Sequence, residues 1–245
     1  MKKWGKISWS IALFMLIGYV FYIVSAFVGN PISKIIVKNT VQKYISENYA
    51  NQNLQVSEIS YNFNTGYYTA KIKSPTSKDT HFSVSVYDLR KIIYDSYEDD
   101  VLGKYNTYRR INDLYSSKVE NIFENKNISY KGDIYFGEIN LKEISELKLD
   151  KNYDINKLGK KYGHITFYAE DKDVSVKKAS EILLDLKNIL DKNNISFYAI
   201  DLSLQKPYGD KYIEISDFLY SDIYEKGLEE RVQKANDELR KDYEE

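Results

Sequence analysis

No charged residue occurs from Ile7 to Val28, and beyond that apolar run the pattern changes to spaced and alternating positions. At about 1.5 Å of rise per helical residue the run reaches roughly 33 Å, enough to cross a hydrocarbon core of about 30 Å. Gly29-Asn30-Pro31 ends it, and Pro31 suits the first turn of a new helix, where the N–H it lacks would have no partner. In that helix Ile32, Ile35, Ile36, Val41, Tyr44, Ile45 and Tyr49 return at three- and four-residue steps and predict one apolar face. Alternation follows. Ile59, Tyr61 and Phe63, a turn at Asn64-Thr65-Gly66, then Tyr68, Ala70 and Ile72 predict a hairpin. A third strand sets Phe82, Val84 and Val86 on one side against His81, Ser83 and Ser85 on the other. From Tyr87 to Asn125 helical spacing returns through Leu89, Ile92 and Ile93, then Tyr108, Ile111, Tyr115 and Ile122, with an interruption near Gly103.

The second half opens near Lys126 with a strand-like stretch, Ile128 to Phe136. Ile165 to Ala169 reads as a further strand, and Val176, Ala179, Ile182, Leu183, Leu186, Ile189 and Leu190 as an amphipathic helix that Asp173 or Ser175 could cap. Ile195 to Leu204 alternates, Lys206-Pro207-Tyr208-Gly209 turns, and Tyr212 to Ile215 returns. Asp222 to Glu225 has the spacing of a capping box before a last helix lined by Leu228, Val232, Ala235 and Leu239. The order predicts an α+β fold rather than an alternating doubly wound one. It assigns residues 1–6 to a tail, 7–28 to a transmembrane helix, 31–125 to a helix with a three-stranded antiparallel sheet, and 126–245 to a strand-helix-strand-strand-helix domain.

Charge then bears on topology and on partners. Lys2, Lys3 and Lys6 precede the apolar run, Lys34, Lys38 and Lys43 follow it, and Trp4 and Trp9 stand where an interfacial belt would lie. The packed basic tail favours a signal anchor in the plasma membrane, single-pass, with a cytoplasmic N-terminus and an extracytoplasmic body. A cleaved export signal is the alternative, because Val24-Ser25-Ala26 offers a peptidase small residues near Ala26; the apolar part of such signals is usually about 7–15 residues, shorter than this one. With 35 basic and 36 acidic residues well mixed, no basic field is available to attract nucleic acid. The absence of cysteine excludes disulfides and thiolate chemistry.

The segments GNPISKIIVKNTVQKYI, YNFNTGYYTAKIKSP, DTHFSV and SDIYEKGLEERV, behind an apolar anchor, together resemble the YfjL-like family of membrane-anchored proteins from Gram-positive bacteria. The resemblance implies two extracytoplasmic α+β domains behind one transmembrane helix, and it brings no activity and no catalytic residues with it.

Candidate chemistry is sparse. Asp79, His81 and Ser83 imitate a catalytic trio, yet alternate positions of one strand lie about 6.8 Å apart, too far for successive hydrogen bonds. His81 and His164 are the only histidines and read as solvated or strand-end residues. Asp95, Glu98, Asp99 and Asp100 lack the spacing of a calcium loop and read as a solvated helix face, while Asp171 and Asp173 read as helix-start residues. Phosphate-binding glycine motifs do not occur. Asn127-Ile-Ser129 and Asn194-Ile-Ser196 match the glycosylation pattern by chance in a bacterial chain. No catalytic, cofactor-binding or metal-ligating residue is assigned, no cofactor is expected, and neither the ligand-binding residues nor the oligomeric state can be read. The expected function is a binding or structural module of the cell envelope, with a protein, peptide or envelope component as partner. The alternative is an envelope hydrolase whose acidic residues meet only in three dimensions.

Overall fold

The uncharged run forms one continuous helix, α1 (Lys2–Val28), in the computed structural model, which describes residues 2–126, 131–137 and 139–244. Among the described residues, the helical stretch that α1 opens is the one long and apolar enough to cross a membrane. The side chains of Trp4, Trp9 and the three tail lysines fall outside the described residues, as do Asn127 to Ser129. Gly29 breaks the helix with φ +78°, and Asn30 caps its successor, α2 (Pro31–Asn48), accepting the Ile32 N–H at 2.8 Å. Pro31 holds the first helical position, as expected.

The body divides into two units: Met1–Thr107 with Ser145–Asp150, and Tyr108–Ile144 with Lys151–Glu245. In the first, β1 (Gln55–Asn62), β2 (Tyr67–Lys73), β3 (His81–Tyr87) and β4 (Lys91–Asp95) form an antiparallel sheet in sequence order. The three expected strands are present, and the fourth corrects the expectation: helical spacing at Leu89, Ile92 and Ile93 belongs to a turn and an edge strand with a register shift. Phe82, Val84 and Val86 lie opposite Ile72, Ala70 and Tyr68, and all six are buried. Across them α2 packs Val37, Val41 and Ile45, each worth about 1.5–3 kcal/mol when removed from water. The face of α2 therefore differs from the sequence reading. Val41 and Ile45 are buried as expected, but Val37 joins them in the core, whereas Ile32 and Ile35 are exposed.

After β4 the chain winds through a π-helical turn, Glu98–Leu102, closed by the Gly103 N–H on the Glu98 carbonyl at 2.7 Å, with Val101 in the core. Helix α3 (Tyr105–Asn125) follows, and from Tyr108 onward it belongs to the second unit. Its Ile111, Tyr115, Val119 and Phe123 are buried at four-residue steps, the mark of a docked helix.

The second unit adds β5 (Ile134–Phe136), the short helices α4 (Leu141–Ser145) and α5 (Ile155–Tyr162), β6 (Gly163–Glu170), α6 (Val176–Lys192), β7 (Ala199–Gln205), β8 (Tyr212–Leu219) and α7 (Leu228–Glu244). Its sheet runs β5-β6-β7-β8, with β6 and β7 parallel through the α6 crossover and the other pairs antiparallel. Ser175 caps α6, accepting the Lys178 N–H. The capping box at Asp222 does not form: Tyr220–Asp222 is a 3₁₀ turn, and the helix begins only at Leu228, after Gly227. Instead, Arg231 reaches back to the carbonyls of Asp222, Tyr224 and Lys226. Inward-facing Ile165, Phe167, Ile200, Leu202 and Leu204 form the core with Leu183, Leu186 and Leu190 of α6.

Candidate functional site

The most chemically capable group in the described residues lies on the polar side of the second sheet. Strands β6 and β7 place Thr166 beside Asp201, with His164 two residues back on the same side. Pairing between β7 and β8 shifts between Ile200 and Leu202, and this irregularity leaves one Asp201 oxygen to accept the Ser216 hydroxyl at 3.0 Å and the Asp217 N–H at 2.8 Å. The other oxygen lies 2.9 Å from His164 Nε2 and accepts the Thr166 hydroxyl at 3.3 Å. Across the imidazole, Nδ1 stands 3.8 Å from a carboxylate oxygen of Asp217, and Tyr135 stacks on the ring with 5.2 Å between centroids.

Of the two sequence readings of His164, the strand-end one holds, since it is the second residue of β6, and the solvated one does not: it is 8% exposed and held against a carboxylate. Its hydrogen bond to Asp201 raises its pKa above the ordinary value, against the opposing effect of burial, and the charges of Asp201 and Asp217 add to the rise. For Asp201 burial acts upward, but the bonds from His164, the Asp217 N–H and Ser216 outweigh it and hold the carboxyl below its usual range. One nitrogen and two carboxylates come within 4.8 Å of one another, so a divalent cation is the metal chemistry they could hold. Nucleophilic catalysis fits less well. The hydroxyls of Thr166 and Ser216 donate to Asp201, so neither is aligned on the imidazole that would activate it. The chain separates His164, Asp201 and Asp217 too widely for any spacing signal; a histidine beginning an otherwise apolar strand was the one available hint.

The residues singled out in the sequence have structural employment. Asp79 is fully buried just before β3, accepting the Thr107 hydroxyl and the Asp150 N–H at 2.8 Å each. Asp150 reciprocates, taking the N–H groups of Lys78 and Asp79 at 2.6 and 3.1 Å. This clasp ties Ser145–Asp150 to the first unit, while the His81 side chain is exposed and the backbone N–H of Ser83 donates to the Ser96 hydroxyl. No trio forms. Of the acidic knot, Glu98 and Asp99 lie exposed on the helical turn Glu98–Leu102, as the sequence reading has them, while Asp95 and Asp100 depart from it. Asp95 ends β4 and accepts the hydroxyls of Tyr44 and Tyr49 at 2.7 and 2.6 Å, and Asp100 accepts Ser96 at 2.6 Å. Among the described residues these carboxylates do not form a group close enough to hold a metal ion. Asp171 accepts the Asp173 N–H and faces Lys178 at 3.5 Å, beside the start of α6.

Concave surface is more plentiful than reactive chemistry. Between the far end of β6 and α6 lies a groove of about 680 Å³. Phe167, Ile182, Leu186 and Ile189 form its floor, and Lys131, Lys178, Glu170, Asp171 and Asp185 its rim. Ligand sites commonly have about 300–1,000 Å³ and this combination of apolar floor and few charges. A second groove of about 690 Å³, beside α5, is lined by Lys151, Lys157, Lys160 and Lys161 with Tyr153, Tyr162 and Tyr198.

Residues 2–96 match the family model for the YfjL-like N-terminal domain, and residues 114–233 that for the YfjL-like C-terminal domain. No curated protein and no solved structure gives a significant match.

Proposed function

The chain belongs to the YfjL-like family, and on that footing we propose that it is a membrane-anchored, extracytoplasmic binding module of the cell envelope. Helix α1 stays attached as the anchor, with the six-residue basic tail in the cytoplasm and both units outside, following the positive charge ahead of the span. A protein, peptide or envelope component is bound by the groove between β6 and α6. The observation that carries this reading is the apolar floor of that groove, open within a ring of charges of both signs. Such a surface gives binding energy through the floor and orientation through the rim.

The test uses the full chain in membranes. Ile182→Arg places a charge in the floor and should abolish retention of the envelope component that the wild type captures, while Tyr208→Arg, on an exposed turn, should leave it unchanged. Equal capture by both variants overturns the groove as the site. N-terminal mass analysis of the membrane fraction checks the anchor, and a chain beginning at Phe27 would exclude it. The hydrolase reading is favoured by the His164–Asp201 pair alone. It predicts a hydrolytic activity lost in His164→Gln and kept in Ile182→Arg.

A further inference from the structure

The end of the first sheet that carries the β1–β2 turn is aromatic, exposed and level with the last turns of α1. Phe63, in the turn, meets Phe27 edge-on with 5.5 Å between ring centroids, and both are 57% exposed. The backbone fixes that contact. Gly29 approaches β1 so closely that a Cβ there would lie 2.7 Å from the Tyr61 Cβ, and its φ of +78° is one that other residues rarely adopt. Ser25 of α1 shares a small cavity with Gly66 and Tyr87, placing the ends of β2 and β3 beside the same helical turns. Tyr67 and Tyr87 contact each other at 5.7 Å and stay exposed. On α2, Ile32 and Ile35 are 67% and 61% exposed although the core-facing side of that helix is complete without them.

We propose that the first unit is seated on the lipid surface, with Phe63, Tyr67, Tyr87, Ile32 and Ile35 forming a ledge in the interfacial layer beside the exit of α1. The inference rests on the reading of α1 as a membrane span. Given that span, depth follows from geometry. Ser25 and Phe27 lie inside the uncharged run, less than about 5 Å of helical rise from Val28. Counted from Ile7, a hydrocarbon core of about 30 Å is filled by about 20 residues and ends near Ala26, so Phe27 and the Phe63 ring against it fall at the start of the interfacial layer, which is about 5–7 Å thick. Aromatic rings are favoured there because they combine an apolar body with tolerance of a polar boundary. Water would leave this apolar ledge uncovered, whereas the bilayer that receives Phe27 also covers Phe63. The consequence is orientation: a rigid seat fixes which surface of the first unit faces away from the membrane, instead of leaving it to swing on a tether.

Site-specific fluorescence on the full chain in phosphatidylcholine vesicles tests this. Trp4→Phe and Trp9→Phe remove the native reporters, and single tryptophans are then introduced by Phe63→Trp, Ile32→Trp, Gln55→Trp or Phe14→Trp. All four positions are exposed or lie in the span, so folding is not at stake. Phe63→Trp and Ile32→Trp should emit at shorter wavelength than Gln55→Trp, which starts β1 at the opposite end of the strand. Both should lose emission to lipids carrying a quencher near the headgroup and be shielded from aqueous acrylamide. Phe14→Trp, in mid-helix, should respond to a quencher deep in the acyl chains. If Phe14→Trp is quenched in the core while Phe63→Trp and Ile32→Trp behave like Gln55→Trp, the seat is wrong and the anchor stands. If Phe14→Trp itself is untouched by lipid quenchers, the anchor reading fails and the seat with it. A blue-shifted Phe63→Trp signal that fades as lipid is added in excess over protein would assign the ledge to a second copy of the chain and overturn the proposal.

Discussion

Phe82→Ala is the sharpest probe of the first unit. Phe82 is 2% exposed near the start of β3, paired opposite Ile72 and packed in the core that α2 covers. Two tyrosine rings contact it edge-on, Tyr49 at 5.4 Å and Tyr97 at 5.1 Å. Truncating a buried Phe to Ala commonly costs about 3–5 kcal/mol. Aromatic edge contacts add about 0.5–1.5 kcal/mol beyond area, which places this site near the top of the range. His81→Ala is the matched control, because the His81 side chain is exposed and its carbonyl, which accepts from Asn106, is retained. That change should stay within about 0.5 kcal/mol. The native tryptophans lie in α1 and do not report on the sheet, so hydrogen exchange followed by mass spectrometry on the full chain in lipid is the assay. A loss of about 4 kcal/mol accelerates exchange of the β2 and β3 amides nearly a thousandfold, against about twofold for His81→Ala, at about 1.4 kcal/mol per tenfold. Should Phe82→Ala fail to fold, Phe82→Leu keeps most of the volume and should cost about 1 kcal/mol. Equal small effects at positions 81 and 82, or the reverse order, would refute the burial assignment, since a one-residue slip exchanges every side chain between faces.

Other consequences follow from the clasp, the break after α1 and the histidine. Asp79→Ala strands the Thr107 hydroxyl and the Asp150 N–H, and should lower stability by at least about 2 kcal/mol in thermal denaturation; a change below about 0.5 kcal/mol would show that the clasp contributes nothing. Gly29→Ala forces a Cβ against Tyr61 at positive φ, with about 1–2 kcal/mol from the backbone alone, and should speed exchange at the start of α2; unchanged exchange would count against the close approach. His164 has a raised folded pKa, so its contribution is complete below its ordinary 6.5 and lost as pH rises through the folded value. Asp201 has a lowered folded pKa, so its contribution is complete above its ordinary 3.8 and lost as pH falls through the folded value. The pair together favours folding most from about pH 4 to about pH 6.5, and His164→Gln should flatten the decline on the alkaline side of a melting-temperature profile.

Much of the architecture can be read along the chain because it is written in local periods. An uncharged run long enough to span, a helix opened by Asn30-Pro31, alternation through Tyr68 to Val86 and the Ser175-capped α6 each depend on neighbours within a turn or a pleat. Where burial had to be decided between elements, local pattern was insufficient. The spacing of Leu89, Ile92 and Ile93 suits a helix as well as a turn and an edge strand, and only pairing with β3 selects the strand. On α2, Val37 and Val41 are fully buried while Ile32 and Ile35 are exposed, because only the side of the helix turned to the sheet is covered. The Asp222 box satisfies a local rule that a 3₁₀ turn and Gly227 displace. The meeting of His164, Asp201 and Asp217 depends on a parallel crossover and an irregularity between β7 and β8, neither of which leaves a periodic trace. Asp79 looked like one member of an imitated catalytic trio, yet it is a buried anchor whose partners Thr107 and Asp150 lie far along the chain. Local sequence determined the elements, because backbone preference and amphipathic period act over a few residues; tertiary contact alone decided which polar groups left water together, because that depends on long-range register.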